Sequence, residues 1–425
     1  MKILLIDPGS INNKSLFNKF YRSQYFPRSL SLLILAALTP QKHSVELYQG
    51  PYEDINFEDD YDIVGITSIT PYAPYAYDLA DRFRHHGKTV VLGGWHPSAL
   101  PEEAKQHADA VVIGEAEETW PEFLKDFGEN KLKPFYRQTR IVDPKLIPCL
   151  NMYNEYIFQV QATRGCSTGC EFCCMTNAKF RNIFRCRPIE NVIKEIESMP
   201  NKNFIFSDSS LTMNPKYTKS LFFRMKNLNK RFIGMGNTNV LSKDEELLNL
   251  AKEAGCIGWY IGFESISQES IDHMGKKTNK VEDYRFVVKK IHKHDMMIIG
   301  SFVFGFDTDK PETFDLTFNF VDDVGIDVPD PLILTPFPGT PLYNRFKSEN
   351  RIITEDWLKY DLEHVVFKPK NMSPQDLTDS VHQLYKDFFS RRKISKRIFK
   401  SIQLGYYPFI NVINQNYVSA KRRYT

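Results

Sequence analysis

Long apolar runs are missing from this chain, and no stretch approaches the roughly 20 residues that span a bilayer. The apolar opening Met1-Lys-Ile-Leu-Leu-Ile6 meets Asp7-Pro8 at once. That is too short for a secretory leader and reads as a first strand. A dominant charge sign is also missing. Lys and Arg number 55 against 52 Asp and Glu, a net +3, so the field of the whole molecule selects no nucleic acid. Cysteine is scarce and odd in number, seven in all. Four of the seven, Cys166, Cys170, Cys173 and Cys174, fall within nine residues, which is metal spacing in a reducing cytoplasm and not a disulfide framework. At 425 residues the chain exceeds one ordinary core, so two or three domains are expected.

What is present alternates. Ile3 to Ile6, Ser44 to Tyr48, Ile63 to Ser68, Thr89 to Leu92 and Ala110 to Ile113 read as strands. Leu30 to Leu38, Tyr77 to Arg84 and Glu102 to His107 read as helices. Strand–helix alternation with short turns predicts an α/β fold with a parallel, doubly wound sheet over residues 1–127. Ligands of such sheets bind at the carboxyl ends of the strands. Those ends carry Asp7-Pro-Gly9, Thr67-Ser68, Gly93-Gly94-Trp-His96 and Gly114-Glu115. Ordinary strand-to-helix turns would look the same.

Prolines 134, 144 and 148 break the rhythm, and residues 128–156 read as a linker. Alternation resumes over residues 157–345. Strands are expected at Phe158 to Thr163, Asn203 to Phe206, Arg231 to Met235, Ile257 to Gly262, Met297 to Phe304 and Leu332 to Thr335. Six repeats suggest a partial α/β barrel, with its site at the carboxyl end. Residues 346–425 read as helical.

The chemistry lies in Cys166-Ser-Thr-Gly-Cys170-Glu-Phe-Cys173, directly after the first barrel strand. Three thiolates on one short loop suit a cubane iron–sulfur cluster and leave one iron open to a small chelating ligand. Structural zinc would want four closed ligands. Cys174 reads as a small buried residue, and Phe172 as an aromatic shield.

On this spacing, with the barrel behind it, the chain resembles the radical S-adenosylmethionine superfamily. The resemblance implies a 4Fe–4S cluster on Cys166, Cys170 and Cys173. It also implies reductive cleavage of S-adenosylmethionine to a 5′-deoxyadenosyl radical that abstracts a substrate hydrogen. It places polar contacts to the cofactor at Asp208 and Ser209 after the second strand, beside Phe172. Glu264, in Ile261-Gly-Phe-Glu264, falls where relatives hold ribose hydroxyls. Arg185 and Arg187 are read either as contacts to adenosine or substrate or as a plain helix start.

Residues 1–127 resemble the cobalamin-binding domain of one subfamily, whose members include hopanoid and bacteriochlorophyll methylases. The resemblance nominates Asp7, Thr67, Ser68, Gly93, Gly94, His96, Gly114 and Glu115 for cobalamin. Asp-x-His-x-x-Gly, which would supply a lower ligand to cobalt, is missing, since the first loop reads Asp7-Pro-Gly-Ser-Ile-Asn-Asn13. His96 is read either as approaching cobalt or as capping its loop.

The function implied is cobalamin-dependent methyl transfer to an unactivated carbon of a hydrophobic biosynthetic intermediate such as a lipid, isoprenoid or tetrapyrrole. Carbon–carbon coupling, cyclisation or oxidation is the alternative. An electron donor such as ferredoxin or flavodoxin is implied as partner. From Phe388 onward nine Lys or Arg and no acidic residue accompany aromatic and aliphatic side chains. That pattern is expected either to touch an anionic membrane, where a hydrophobic substrate dissolves, or to pack on the barrel.

Overall fold

The computed structural model describes residues 1–9, 29–49, 55–150 and 158–422. Residues 10–13 of the first loop, residues 151–157 of the expected linker and Arg423 of the tail lie outside the described residues.

The first sheet contains β1 (Lys2–Asp7), β2 (Ser44–Gln49), β3 (Ile63–Thr67), β4 (Thr89–Gly93), β5 (Ala110–Ile113) and β6 (Phe135–Arg137), in the order β2-β1-β3-β4-β5-β6. Every pairing is parallel. Successive side chains of a strand point to opposite faces. Leu4, Ile6, Val64, Ile66, Val90 and Leu92 accordingly pack on one face, and Ile3, Leu5, Ile63 and Val91 on the other. Helices cover both faces, which is why these strands read as unbroken apolar runs. The chain leaves β1 for β2 on one side and returns to β3 on the other. That reversal opens a crevice at the carboxyl ends.

The sequence reading missed β6 inside the expected linker. Pro134 suggested a break, but its carbonyl accepts from the Val111 amide at 3.0 Å, and the strand it leads into closes the sheet edge. Proline is tolerated there because an edge strand leaves one row of amides unpaired.

The second sheet is a parallel, six-stranded partial barrel. Its strands are β7 (Phe158–Val160), β10 (Asn203–Phe206), β11 (Arg231–Met235), β12 (Cys256–Glu264), β13 (Met297–Phe304) and β14 (Val328–Ile333), ordered β14-β13-β12-β11-β10-β7. A two-stranded antiparallel ribbon, β8 (Thr163–Arg164) with β9 (Arg185–Cys186), leaves the barrel after β7. Two boundaries differ from expectation by three residues or more. The first barrel strand stops at Val160, because the amides of Ala162 and Thr163 donate to Asp208 and not to the sheet. The sixth begins at Val328 despite Pro329 and Pro331, because β14 is the edge strand.

Helices pack outside the barrel. The helix Ile189–Ser198 buries Val192, Ile193 and Ile196. Arg187 is also buried: its guanidinium lies 2.7 Å from Glu195 and donates to the Gln161 carbonyl at 2.6 Å. It is therefore a structural residue of the barrel wall. Breaking a buried pair strands one charge, at a cost of about 3–5 kcal/mol. Arg187→Met should lower the denaturation midpoint accordingly, and adding Glu195→Met should restore part of it. A single variant as stable as the wild type would refute this assignment.

Candidate functional site

The cysteine loop is tied down from several directions. Asp208, buried after β10, accepts from the amides of Ala162 and Thr163 and from the Thr163 hydroxyl. Burial pushes its carboxyl up to about 7 against those bonds. Asp208 thus fixes the approach to the loop, and Ser209 beside it is half-buried. Gly165 has φ +84°, and a Cβ there would fall 2.2 Å from the Ile183 carbonyl. Only glycine lets the chain turn so closely against the neighbouring strand. The Cys166 amide donates to Arg181 at 2.8 Å. The Thr176 hydroxyl donates to the Cys166 carbonyl at 2.8 Å, and the Asn177 amide donates to the carbonyls of Cys170 and Cys173 at 2.9 and 2.8 Å.

Between the cysteines, Glu171 is gripped at both ends. Its amide donates to Met274 and its carbonyl accepts from Leu342. Its carboxylate lies 2.7 Å from Arg345, which also holds Asp307 at 2.8 Å. Phe172 meets Phe306 edge to face, with 6.1 Å between centroids.

Burial pushes the Cys170 thiol up to about 12, and Cys173 is raised by the same cause. Such thiols bind metal as thiolates, and metal binding releases their protons. No three His, Cys, Asp or Glu among the described residues converge on a single ion. Three cysteines spread along one constrained loop instead fit the corners of a cluster.

Glu264 ends β12 in the left-handed region at φ +62°, where the register shifts against β13. A non-glycine residue held there is strained by its surroundings. Its carboxylate pairs with Lys276, which also donates to the Gly262 carbonyl at 2.9 Å. A Cβ on Gly262 would strike Lys276 Nζ at 2.7 Å, so the glycine makes room for the pair. The positive charge of Lys276 opposes the upward push of burial on Cys170. Sequence reading missed Lys276 because it sits in a polar run after a helix end, with no local signal.

A cleft of about 530 Å³ lies between the carboxyl ends of the two sheets. Asp7, Thr67, Ser68, Gly93, Gly94, Gly114 and Glu115 line one wall, and Arg164, Cys174, Asn177 and Arg181 line the other. A Cβ on Gly94 would meet the Ser68 carbonyl at 2.6 Å, so glycine keeps this wall low. The Ser68 hydroxyl and Glu117 Oε2 are buried in the wall without a partner among the described residues. Such groups suit the amide side chains of a corrin ring, so the residues present fit cobalamin.

His96 does not line this cleft. It is fully buried, with Nε2 3.1 Å from Glu103 and its ring against Trp357. Gly94 turns the chain so that Trp95 faces the cleft and His96 packs beneath, away from it. Among the described residues no histidine lines the cleft.

Glu115 faces arginines: Arg185 at 2.7 Å, Arg181 at 3.0 Å and Arg164 at 3.7 Å, while Glu117 takes Arg164 at 2.6 Å. Burial pushes the Glu115 carboxyl up, but the three guanidiniums outweigh it and hold it below the usual carboxylate range. Arg185 is thereby committed to the neighbouring domain and not to adenosine.

A flavodoxin-ordered cofactor sheet closing on the carboxyl face of a barrel, with a cysteine loop at the seam, defines a two-cofactor radical enzyme. The profile of the Radical SAM superfamily matches residues 160–321 and that of the B12 binding domain residues 26–124. The chain is 32% identical to the bacteriochlorophyllide d C-12(1)-methyltransferase of Chlorobaculum tepidum, covering 97% of this chain and 92% of the relative. It is also 32% identical to the C-8(2)-methyltransferase of the same organism, over 87% of each chain. Its fold matches that of the radical S-adenosylmethionine methyltransferase TsrM from Kitasatospora setae with TM-score 0.72 and 16% identity, over 100% of this chain and 99% of that one. The chain belongs to the radical S-adenosylmethionine superfamily, in the branch that carries an N-terminal B12-binding domain, and its cofactors are a 4Fe–4S cluster, S-adenosylmethionine and cobalamin.

Replacing Cys166, Cys170 and Cys173 together by Ala should abolish the cubane absorption and EPR signal after anaerobic reconstitution while leaving the circular dichroism unchanged. A triple variant that still takes up about four irons would refute the ligand set.

Proposed function

We propose that this chain methylates an unactivated carbon of a tetrapyrrole, with both cofactors opening on the same cleft. The observation that carries this reading is the cleft itself. Its walls come from the strand ends of the B12-binding domain on one side and from Cys174 and Asn177, beside the cluster ligands, on the other. One substrate carbon can therefore face both. Both relatives described above are named as bacteriochlorophyllide d methyltransferases, which supports a large planar substrate.

When bound, the cluster with S-adenosylmethionine supplies a hydrogen-abstracting carbon radical and cobalamin supplies a methyl group. The chain's own residues position and exclude. Glu264 presents two carboxylate oxygens that can accept from a ribose diol. Ser209 offers a hydroxyl near the loop that Asp208 anchors. Phe172 shields the cluster side from water. Ser68 and Glu117 receive corrin amides. The ion cluster around Glu115 fixes the distance between the two cofactors. A small-molecule substrate is the partner of the cleft. A ferredoxin or flavodoxin supplies electrons, and the basic tail contacts an anionic surface.

Reconstituted enzyme given S-adenosylmethionine, hydroxocobalamin and a bacteriochlorophyllide should form deoxyadenosine, S-adenosylhomocysteine and a product one methylene heavier. Deoxyadenosine without S-adenosylhomocysteine would favour coupling, cyclisation or oxidation instead.

A second measurement tests the corrinoid alone. The bound Co(II) form should give an EPR spectrum without nitrogen superhyperfine splitting, because no histidine among the described residues lines the cleft. Splitting from a protein nitrogen would overturn the placement of His96.

A further inference from the structure

The last helices close the amino end of the barrel. Val412 packs with Met297 and Val328, the first residues of β13 and β14. Asn416 donates to the Asp327 carbonyl at 3.0 Å. Arg231, the first residue of β11, lies 3.4 Å over the ring of Tyr407. The cysteine loop and the cleft sit at the opposite, carboxyl end.

Part of the basic tail is consumed by this packing. Lys393 and Lys396 pair with Asp322 at 3.1 and 2.7 Å. Arg397 is buried and donates to Asn416 and to the Phe388 carbonyl. Arg391 and Arg392 lie on the other side of the helix and are exposed. Arg392, Ser395, Phe399 and Ile402 follow one another at intervals of three or four along the turns from Arg391 to Leu404, and all four are exposed. That interval places them on one side of the helix. Phe399 is 75% exposed, Ile402 57% and Tyr406 70%. Among the described residues no carboxylate pairs with Arg391 or Arg392. Single exposed apolar residues are ordinary. Two on one side of a helix, beside unpaired arginines, have the composition of helices that lie in a membrane interface.

We propose that this end of the barrel docks on an anionic lipid surface. Phe399 and Ile402 enter the headgroup layer, and Arg391 and Arg392 meet lipid phosphates. Charge selects this occupant. A second copy would set the same acid-free tail against itself, whereas anionic lipid complements it. No helix among the described residues is long and apolar enough to cross a membrane. The inference does not depend on the reaction assigned to the cleft. It also alters the sequence expectation, because docking by the amino end turns the cleft away from the bilayer. The tail therefore offers a lipid-dissolved substrate no direct entry.

The test is sedimentation of the full, reconstituted enzyme with phosphatidylcholine vesicles, with and without phosphatidylglycerol. Wild type should pellet only with the anionic vesicles and be released by salt. Arg391→Gln with Arg392→Gln should weaken partition by roughly 25-fold, about fivefold per cation. Phe399→Ser with Ile402→Ser should remain in solution, and S-adenosylmethionine cleavage should be unchanged in both. Wild type that ignores anionic vesicles, or variants that bind as it does, would overturn the proposal. So would a wild-type dimer that the same variants dissociate, which would assign the patch to a second copy.

Discussion

Two carboxylates of the first domain and three guanidiniums of the second meet in one buried cluster, and the cleft exists because they do. Glu115 and Glu117 start the helix that follows β5. Arg164 immediately precedes Gly165-Cys166, and Arg181 and Arg185 follow the cysteines. The side chains of both glutamates are 1% exposed. Removing such charges from water is expensive, and only close mutual pairing offsets it. The arrangement therefore adds little net stability, but it tolerates few alternative geometries. A shift of either domain would strand a charge in a dry seam. The cluster thus sets how far the B12-binding face stands from the cysteine loop.

The loop needs a second restraint, on its outer side, and Glu171 provides it. Arg345 links Glu171 to Asp307, and Arg351 and Lys370 add further cations to Asp307. Burial raises the Asp307 carboxyl, but those cations hold it far below the usual range. Across the site, Lys276 holds Glu264. The cysteines are thus bracketed by ionic contacts from the first domain, from the end of β12 and from the helix Pro341–Ser348. So short a loop cannot derive its rigidity from a core of its own, so rigidity is supplied from outside.

What the sequence disclosed follows range of interaction. The cysteine spacing is local, and so are the strand periodicities, which is why the cluster loop and both sheets were legible. The partners of Arg185 and Glu115 stand 70 residues apart, and nothing near either residue announces the other. Read locally, Arg185 and Arg187 looked like cofactor contacts or a helix start. In the folded chain they are a clamp and a wall pair. Proline misled twice, at β6 and β14, because an edge strand tolerates what a central one does not. His96 shows the same limit at one position: its loop was legible, but the direction of its ring depends on Gly94 and on Trp357 of the C-terminal region.

The two ends of the barrel are under opposite demands. At the carboxyl end, charge is buried and paired, because a radical must be kept from water and the reacting groups held at fixed distances. At the amino end nothing reacts, so a helical cap with unpaired cations and exposed rings costs the chemistry nothing. Helices that close this end could have been neutral and polar throughout. Instead the acid of the contact comes from the barrel, Asp322, and the tail contributes only base. Packing alone would be satisfied by the buried Arg397, Ser401 and Val412. It gives no account of why Phe399 and Ile402, one turn apart, both face solvent beside cations that the fold leaves unpaired.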